Sequence, residues 1–304
     1  MIRFNKSKDL VSIVAPSSCH KDFKGKIDIK GSFDHLLDIV EIFKSNGMNA
    51  IYDKNIFQQN ELDYFAAPKE VRFSQLKNAL ETPEVKIISA FRGGYGLAEI
   101  VFDLLDVVPS GPKILIGFSD ITSLHLLFNQ FYNFPTIHGM VSKKFRYGRK
   151  EIFALLNSKI NSHRLEAINS AAKQNNDAIS CEVSGGNLSI ICNMIGTKLS
   201  PKFKDKIVII EDVGEPGYKV HRFLMHLYNA NITGNAKAII FADFTASDDL
   251  LEPSLNHFIN NYLINMPVYK TSKIGHKDCY PFILGSQGRI ANNHLVIKNP
   301  FGME

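Results

Sequence analysis

At 304 residues, with 45% apolar and 21% charged side chains and a net charge of +5, the chain has the make-up of an ordinary soluble globular protein with room for one large core or two smaller ones. No apolar run approaches the ~20 residues that a membrane-spanning helix needs, so no membrane partner is expected. The positive charge is spread along the chain, which weighs against a nucleic-acid binder, and Cys19, Cys181, Cys192 and Cys279 are too scattered for zinc spacing or a disulfide framework.

Taken in chain order, residues 11–15 form a first buried strand; the run is too short for a signal-peptide core, and a cytoplasmic protein is expected. Ser32 caps a helix with Phe33, Leu36, Val40 and Phe43 on its apolar face, and Gly47 ends it in the left-handed conformation. A strand over 49–52, a helix over 69–80, a strand over 85–90, a helix over 97–105 and the turn Pro109-Ser110-Gly111-Pro112 lead to the apolar strand Ile114-Leu115-Ile116-Gly117-Phe118. A helix follows with Ile121, Leu124, Phe128 and Phe131 on one face. Such alternation predicts an α/β fold, a parallel sheet covered by helices on both faces.

The basic run from Lys143 to Lys150 interleaves aromatics with charge, and reads as a solvated loop or a rim that attracts an acidic substrate rather than as a nucleic-acid surface. Beyond about 157 the apolar pattern fades into Asn, Ser, Ala and charge. Residues 161–180 are therefore read as a linker between an N-terminal domain, 1–160, and a C-terminal domain, 181–304. The second domain opens with Gly185-Gly186-Asn187 before a helix over 188–195. A strand over 206–210 delivers Glu211 and Asp212 at its end. Helix 218–228, strand 236–241, helix 253–262, a segment over 268–276 and two strands within 288–297 complete a mixed α+β unit.

Ligands of parallel sheets bind beyond the carboxyl ends of the strands, and two neighbouring ends here carry chemistry. One bears Ser119, where a strand turning sharply into a helix lifts the side chain above the sheet edge. Gly117 fits the glycine two residues before a hydrolase nucleophile, whereas Ile121 stands where the second glycine belongs; helix capping by Ser119 or Asp120 is the competing reading. The other end is Phe91-Arg92-Gly93-Gly94-Tyr95-Gly96. Its glycines let backbone amides approach an anion and its guanidinium suits a carboxylate, with a bare turn as the competing reading.

A serine nucleophile needs a base, usually histidine, and the histidine needs an acceptor that fixes its tautomer. Ten histidines compete for that role. His125 follows the bend, His138 lies in Thr136-Ile137-His138-Gly139, and His276 ends Lys273-Ile274-Gly275-His276, a loop able to reach a cleft. Glu211, a carboxylate at the end of an apolar strand, is the best acid candidate. From the residues alone this triad is one arrangement among several.

Arg92-Gly93-Gly94-Tyr95-Gly96, Gly117-Phe118-Ser119-Asp120-Ile121-Thr122, His138-Gly139, Gly185-Gly186-Asn187-Leu188, Glu211-Asp212-Val213-Gly214-Glu215 with Tyr218 and Arg222, and Gly275-His276 before Pro281 and Leu284-Gly285 follow one another in a characteristic order. In that order and spacing the chain resembles the LD-carboxypeptidase family, serine peptidases that also include the microcin C immunity peptidases. The likeness runs from Ala15-Pro16 to about Arg289. It implies a Rossmann-like N-terminal domain, a swivelling β-rich C-terminal domain, an active site at their interface and a homodimer. Carried over, Ser119 is the nucleophile, His276 the general base and then acid, and Glu211 its orienting partner. The N–H groups of Asp120 and of Gly93 or Gly94 would be oxyanion donors, one such donor commonly being worth roughly 2.7–4 kcal/mol, with Arg92 and Tyr95 in the same substrate-binding loop. Met140 replaces the proline usual after His138-Gly139, and Lys277 replaces the glycine that commonly follows the histidine; both departures bear on the specificity pocket.

The activity implied is that of a serine carboxypeptidase, needing neither metal nor cofactor, which releases terminal D-alanine from a murein tetrapeptide during cytoplasmic recycling of cell-wall fragments. A second reading within the family is an immunity-type peptidase that hydrolyses peptidyl or aminoacyl nucleotides, although the chain has no tryptophan and would need one of its 22 Phe or 10 Tyr to stack on a base. A third is a catalytically silent binder of cell-wall peptides.

Overall fold

The computed structural model describes residues 1–303, which divide into two compact units: one of 1–144, 148–158 and 300–303, the other of 145–147 and 159–299. The first unit contains β1 (Ile2–Phe4), β2 (Leu10–Val14), α1 (Ile29–Ser45), β3 (Asn49–Tyr52), α2 (Lys69–Glu81), β4 (Val85–Ala90), β5 (Ile114–Gly117), α3 (Thr122–Leu127), β6 (Thr136–His138) and α4 (Gly148–Leu156). Strands β6, β5, β4, β2 and β3 lie side by side in that order and pair in parallel. Ile87, Ile88, Ile114, Leu115 and Ile116 are at most 1% exposed, the burial on both faces that parallel strands require. Because β4 pairs with β5, the two strand ends singled out above are neighbours.

Two local expectations are corrected. Helix α1 is capped by Asp28, whose carboxylate accepts from Gly31 N at 2.8 Å. Ser32 lies inside the helix and donates its hydroxyl to the Asp28 carbonyl at 2.7 Å. The buried stripe of this helix is Ser32, His35, Leu36, Ile39, Ile42 and Phe43, turned away from the purely apolar face because two polar side chains belong to it. The helix expected over 97–105 is instead two 3-10 turns, Leu97–Glu99 and Asp103–Asp106. Leu97 N donates to Asp120 Oδ2 at 3.0 Å and Arg72 Nη1 to Gly96 O at 2.7 Å, so tertiary bonds rather than helix propensity fix how the segment starts.

The second unit runs through β7 (Asn161–Arg164), β8 (Glu166–Ala167), α5 (Ser170–Lys173), β9 (Ile179–Asn187), α6 (Leu188–Asn193), β10 (Ile207–Val213), α7 (Gly217–Asn229), β11 (Ala238–Thr245), α8 (Leu251–Tyr262), β12 (Val268–Lys270), β13 (Phe282–Leu284), β14 (Ser286–Ala291) and β15 (His294–Ile297). Its eight-stranded sheet has the order β7-β15-β14-β9-β10-β11-β12-β8, parallel from β9 to β12 and antiparallel at both edges. Leu188, Ile191, Val220, Leu224, Leu227, Leu255 and Phe258 from α6, α7 and α8 share one core with Val208, Ile210, Ile239 and Phe241 of the sheet.

Residues 161–180 are not a linker. β7 pairs with β15 and β8 with β12, closing the two edges of the sheet, and Asn169 caps α5 while its Nδ2 donates to the carbonyls of Leu263 and Met266. Short polar edge strands hydrogen-bond on one side only and carry little apolar pattern, which is why composition alone misread them. The end of the chain also departs from the expected C-terminal domain: β16 (Phe301–Met303) pairs in parallel with β1 of the first unit. Among the described residues no helix is long and apolar enough to cross a membrane.

Candidate functional site

In the first unit, Phe118 leaves β5 fully extended at φ −153° and ψ 179°, Ser119 turns to φ 61°, and a 3-10 turn over Ser119–Ile121 enters α3. A non-glycine residue held in the left-handed region costs of order 1–3 kcal/mol and persists only where its surroundings over-determine it. Two glycines supply that determination by their lack of a side chain. A Cβ on Gly117 would lie 2.5 Å from Ile121 Cγ2, and one on Gly93 would lie 2.7 Å from Ser119 Cβ and 3.1 Å from its Oγ. The glycine loop therefore brings bare main chain against the serine.

Helix capping does not explain this serine, since no side chain bonds the start of the 3-10 turn or of α3. Asp120 is buried and turns inward, accepting from Ser17 Oγ at 2.6 Å and Leu97 N at 3.0 Å, with burial pushing its carboxyl up. It ties the ends of β2 and β4 to the bend. His125 is equally structural. Its Nε2 must carry the proton to donate to the Gly117 carbonyl at 2.9 Å, so Nδ1 accepts from Thr136 Oγ1 at 2.9 Å, and burial lowers the ring to about 4. Both nitrogens are spent beneath the bend. Arg92 is partly buried and donates from Nη1 to the Cys19 carbonyl at 3.0 Å. Tyr95 is 47% exposed, anchors its backbone N–H on Ser18 Oγ at 3.0 Å and stacks on Phe65 at 5.8 Å.

In the second unit Glu211 lies opposite a β-bulge in β11. Ile210 pairs with Phe241 and Asp212 with Phe244, so Ala242 and Asp243 together face the single residue Glu211. Its carboxylate is fully buried, and Oε2 accepts from His276 Nδ1 at 2.9 Å. Gly275, at φ 129°, makes this possible: Asp243 N bonds the Ile274 carbonyl at 3.0 Å, and a Cβ on Gly275 would lie 3.1 Å from Asp243. With Nδ1–H given to Glu211, a neutral His276 has its lone pair on Nε2, the form a general base needs. The neighbouring acid has a different task. Asp212, pushed up to about 6 by burial, accepts from Asn187 Nδ2, Ser189 N and Val213 N at 2.8–3.0 Å, and so pins the turn after Gly185-Gly186. Adjacent residues of a strand face opposite ways, and the two carboxylates accordingly hold different partners, Glu211 the His276 ring and Asp212 the turn.

Of the residues read from sequence, Ser119, Asp120, Arg92, Gly93, Gly94 and Tyr95 gather at strand ends of the first unit, and Glu211 with His276 pair in the second. Sequence reasoning overlooked His20, which contacts Arg92, and His35, which contacts His20. The available signal was position: His20 follows the end of β2, the strand beside β4, on the carboxyl side where parallel sheets bind ligands. No group of three or more His, Cys, Asp or Glu side chains is placed to hold a metal ion among the described residues.

Residues 11–139 match the profile of the LD-carboxypeptidase N-terminal domain and residues 180–290 that of the LD-carboxypeptidase C-terminal domain. A putative carboxypeptidase of Rickettsia conorii is 33% identical over 256 residues, 81% of this chain and 80% of that protein. The murein tetrapeptide carboxypeptidase of Pseudomonas aeruginosa is 28% identical over 70% of this chain and 74% of its own length. The crystal structure of muramoyltetrapeptide carboxypeptidase from Oxalobacter formigenes shares the fold, with a TM-score of 0.73 at 21% identity over 94% of this chain and 99% of that one.

Proposed function

Because the chain belongs to the LD-carboxypeptidase family, we propose that it is a serine peptidase releasing terminal D-alanine from murein tetrapeptides, with Ser119, His276 and Glu211 as its triad. Ser119 Oγ attacks the carbonyl of the amide between an L-configured centre and D-alanine while His276 Nε2 takes the hydroxyl proton. Glu211 keeps Nδ1–H in place and stabilises the imidazolium. The N–H groups of Asp120 and of Gly93 or Gly94 receive the oxyanion. As the tetrahedral species collapses, the proton on Nε2 passes to the leaving amine; water, activated by the same nitrogen, then cleaves the acyl-serine and restores the hydroxyl. Such chemistry requires the Ser119 hydroxyl to meet His276 Nε2 in the reacting complex, and recycling of cell-wall fragments in the cytoplasm is its setting.

The observation that carries this reading is the 2.9 Å bond from His276 Nδ1 to a fully buried Glu211, which prepares one ring nitrogen for proton transfer. Purified protein should release D-alanine from a murein tetrapeptide, and Ser119→Ala should lower kcat by at least about 10⁴-fold. Undiminished release by Ser119→Ala would remove the nucleophile from the scheme. One observation supports a nucleotide substrate: Tyr95 and Tyr64 are exposed side by side, ring centroids 5.6 Å apart, beside the glycine loop, a surface on which a base stacks. Faster turnover of an aminoacyl sulfamoyl adenylate than of the tetrapeptide would favour it.

A further inference from the structure

Behind the glycine loop of the first unit lies a cluster of titratable groups that the proposed reaction does not use. Arg92 Nη1 reaches His20 Nδ1 at 3.2 Å, His20 Nε2 reaches His35 Nδ1 at 2.8 Å, and His35 Nε2 reaches Ser142 Oγ at 3.4 Å. Both imidazoles pack on Phe91, with ring centroids 5.5 and 5.2 Å away. His35 and Ser142 are buried.

The direction of every proton in this row follows from one fact: a guanidinium only donates. His20 Nδ1 must therefore accept, and a neutral His20 carries its proton on Nε2. That proton goes to His35 Nδ1, so His35 carries its own on Nε2 and donates it to Ser142. Protonating either ring would set two N–H groups against each other, or one against Arg92. Burial and the cations Lys144 and Arg92 hold both rings down at about 4, while Asp28 acts oppositely on His20 and Asp38 on His35. The arrangement also works in reverse, since the rings orient the guanidinium. Nη1 spends its two protons on Cys19 O and His20 Nδ1, and among the described residues neither Nε nor Nη2 has a protein acceptor. Those two nitrogens form an edge that binds a carboxylate through parallel hydrogen bonds.

We propose that His20 and His35 are positioning residues that lock Arg92 into one orientation, with its Nε–Nη2 edge presented to the terminal carboxylate of the substrate. The identity of that carboxylate rests on the function proposed above; the lock itself does not. Long-range ¹H–¹⁵N spectra of the free protein between about pH 6 and 8, around the ordinary histidine pKa, should show unprotonated Nδ1 and protonated Nε2 in both rings. A proton on Nδ1 of either ring overturns the proposal. In kinetics, His20→Leu should raise KM for the tetrapeptide about tenfold with kcat nearly unchanged, the pattern of lost uniform binding. It should match the wild type on the same peptide ending in a carboxamide, where Arg92 has no carboxylate to hold. His20→Asn places an acceptor where Nδ1 stood and should keep KM close to the wild-type value. Equal losses on acid and amide peptides, or an Asn variant as impaired as the Leu variant, would assign His20 to packing alone. Should the wild-type protein cleave no murein peptide, the functional reading fails while the tautomer spectrum still decides the lock.

Discussion

The two units prepare their candidate functional side chains by opposite means. In the first the backbone does it: Ser119 is held at φ 61°, and two positions without side chains, Gly93 and Gly117, clear the space for it. In the second a buried charge does it, for Glu211 is fully enclosed and grips Nδ1 of His276, whose side chain stays 15% exposed. Strain fixes where an atom sits but says nothing about protons; a carboxylate fixes a tautomer yet tolerates small movements of the ring. The first unit should therefore be sensitive to added volume and the second to lost charge.

Removing charge is the harsher test of that contrast. Glu211→Gln keeps the size and an acceptor but cannot stabilise an imidazolium, and kcat for D-alanine release is expected to fall about 10³–10⁴-fold with KM little changed. A loss of less than about tenfold, one factor of RT ln 10, would take Glu211 out of the reaction. Adding volume comes next. Gly93→Ala forces a methyl to within 2.7 Å of Ser119 Cβ, and a displacement of the nucleophile approaching an ångström should lower kcat about a hundredfold. Gly196→Ala in the second unit is the control, because φ there is also positive, at 81°, but nothing lies within 4 Å of the added methyl. It should lower the melting temperature and leave kcat alone. Matching losses of kcat in the two alanine variants would show that crowding at Ser119 is not the cause.

The contrast also explains what was legible in the sequence. Apolar strands such as β4 and β5 declared themselves, and so did the candidate residues at their ends, because a buried parallel strand is a dense apolar run and the residues that follow it stand where such sheets bind ligands. Glu211 stood out for the same reason. The edge strands β7 and β8 did not, since pairing on one side leaves no apolar signature. Nor did the polar stripe of α1: Ser32 and His35 are both bonded by His20, a partner outside the helix that its sequence periodicity does not reveal. The bend at Ser119 was half visible through Gly117. Its other half, Gly93, was legible as part of the neighbouring glycine loop, but that its missing side chain leaves the room for Ser119 shows only in the fold.

The smallest effect separates the units by acid. In the first, His20, His35 and His125 are each lowered from 6.5 to about 4, chiefly by burial. The unfolded chain takes up those protons below about 6.5 while the folded chain resists until about 4, so the stability they give at neutral pH is lost across that interval. Asp120, raised by burial, works the other way, as a carboxyl protonated early in the fold adds stability when pH falls. In the second unit the balance is reversed: His163 alone is lowered to about 4, against Asp212 raised to about 6 and Asp243 also raised, all chiefly by burial. Moving from pH 7 to pH 4.5 should therefore cost the first unit more of its stability. Hydrogen exchange, corrected for the intrinsic effect of pH, should show protection in β2, β4 and β5 falling further than in β9, β10 and β11. Parallel losses in the two sheets would mean that the neutral histidines do not set the acid stability of the first unit, and that its sensitivity is to volume alone.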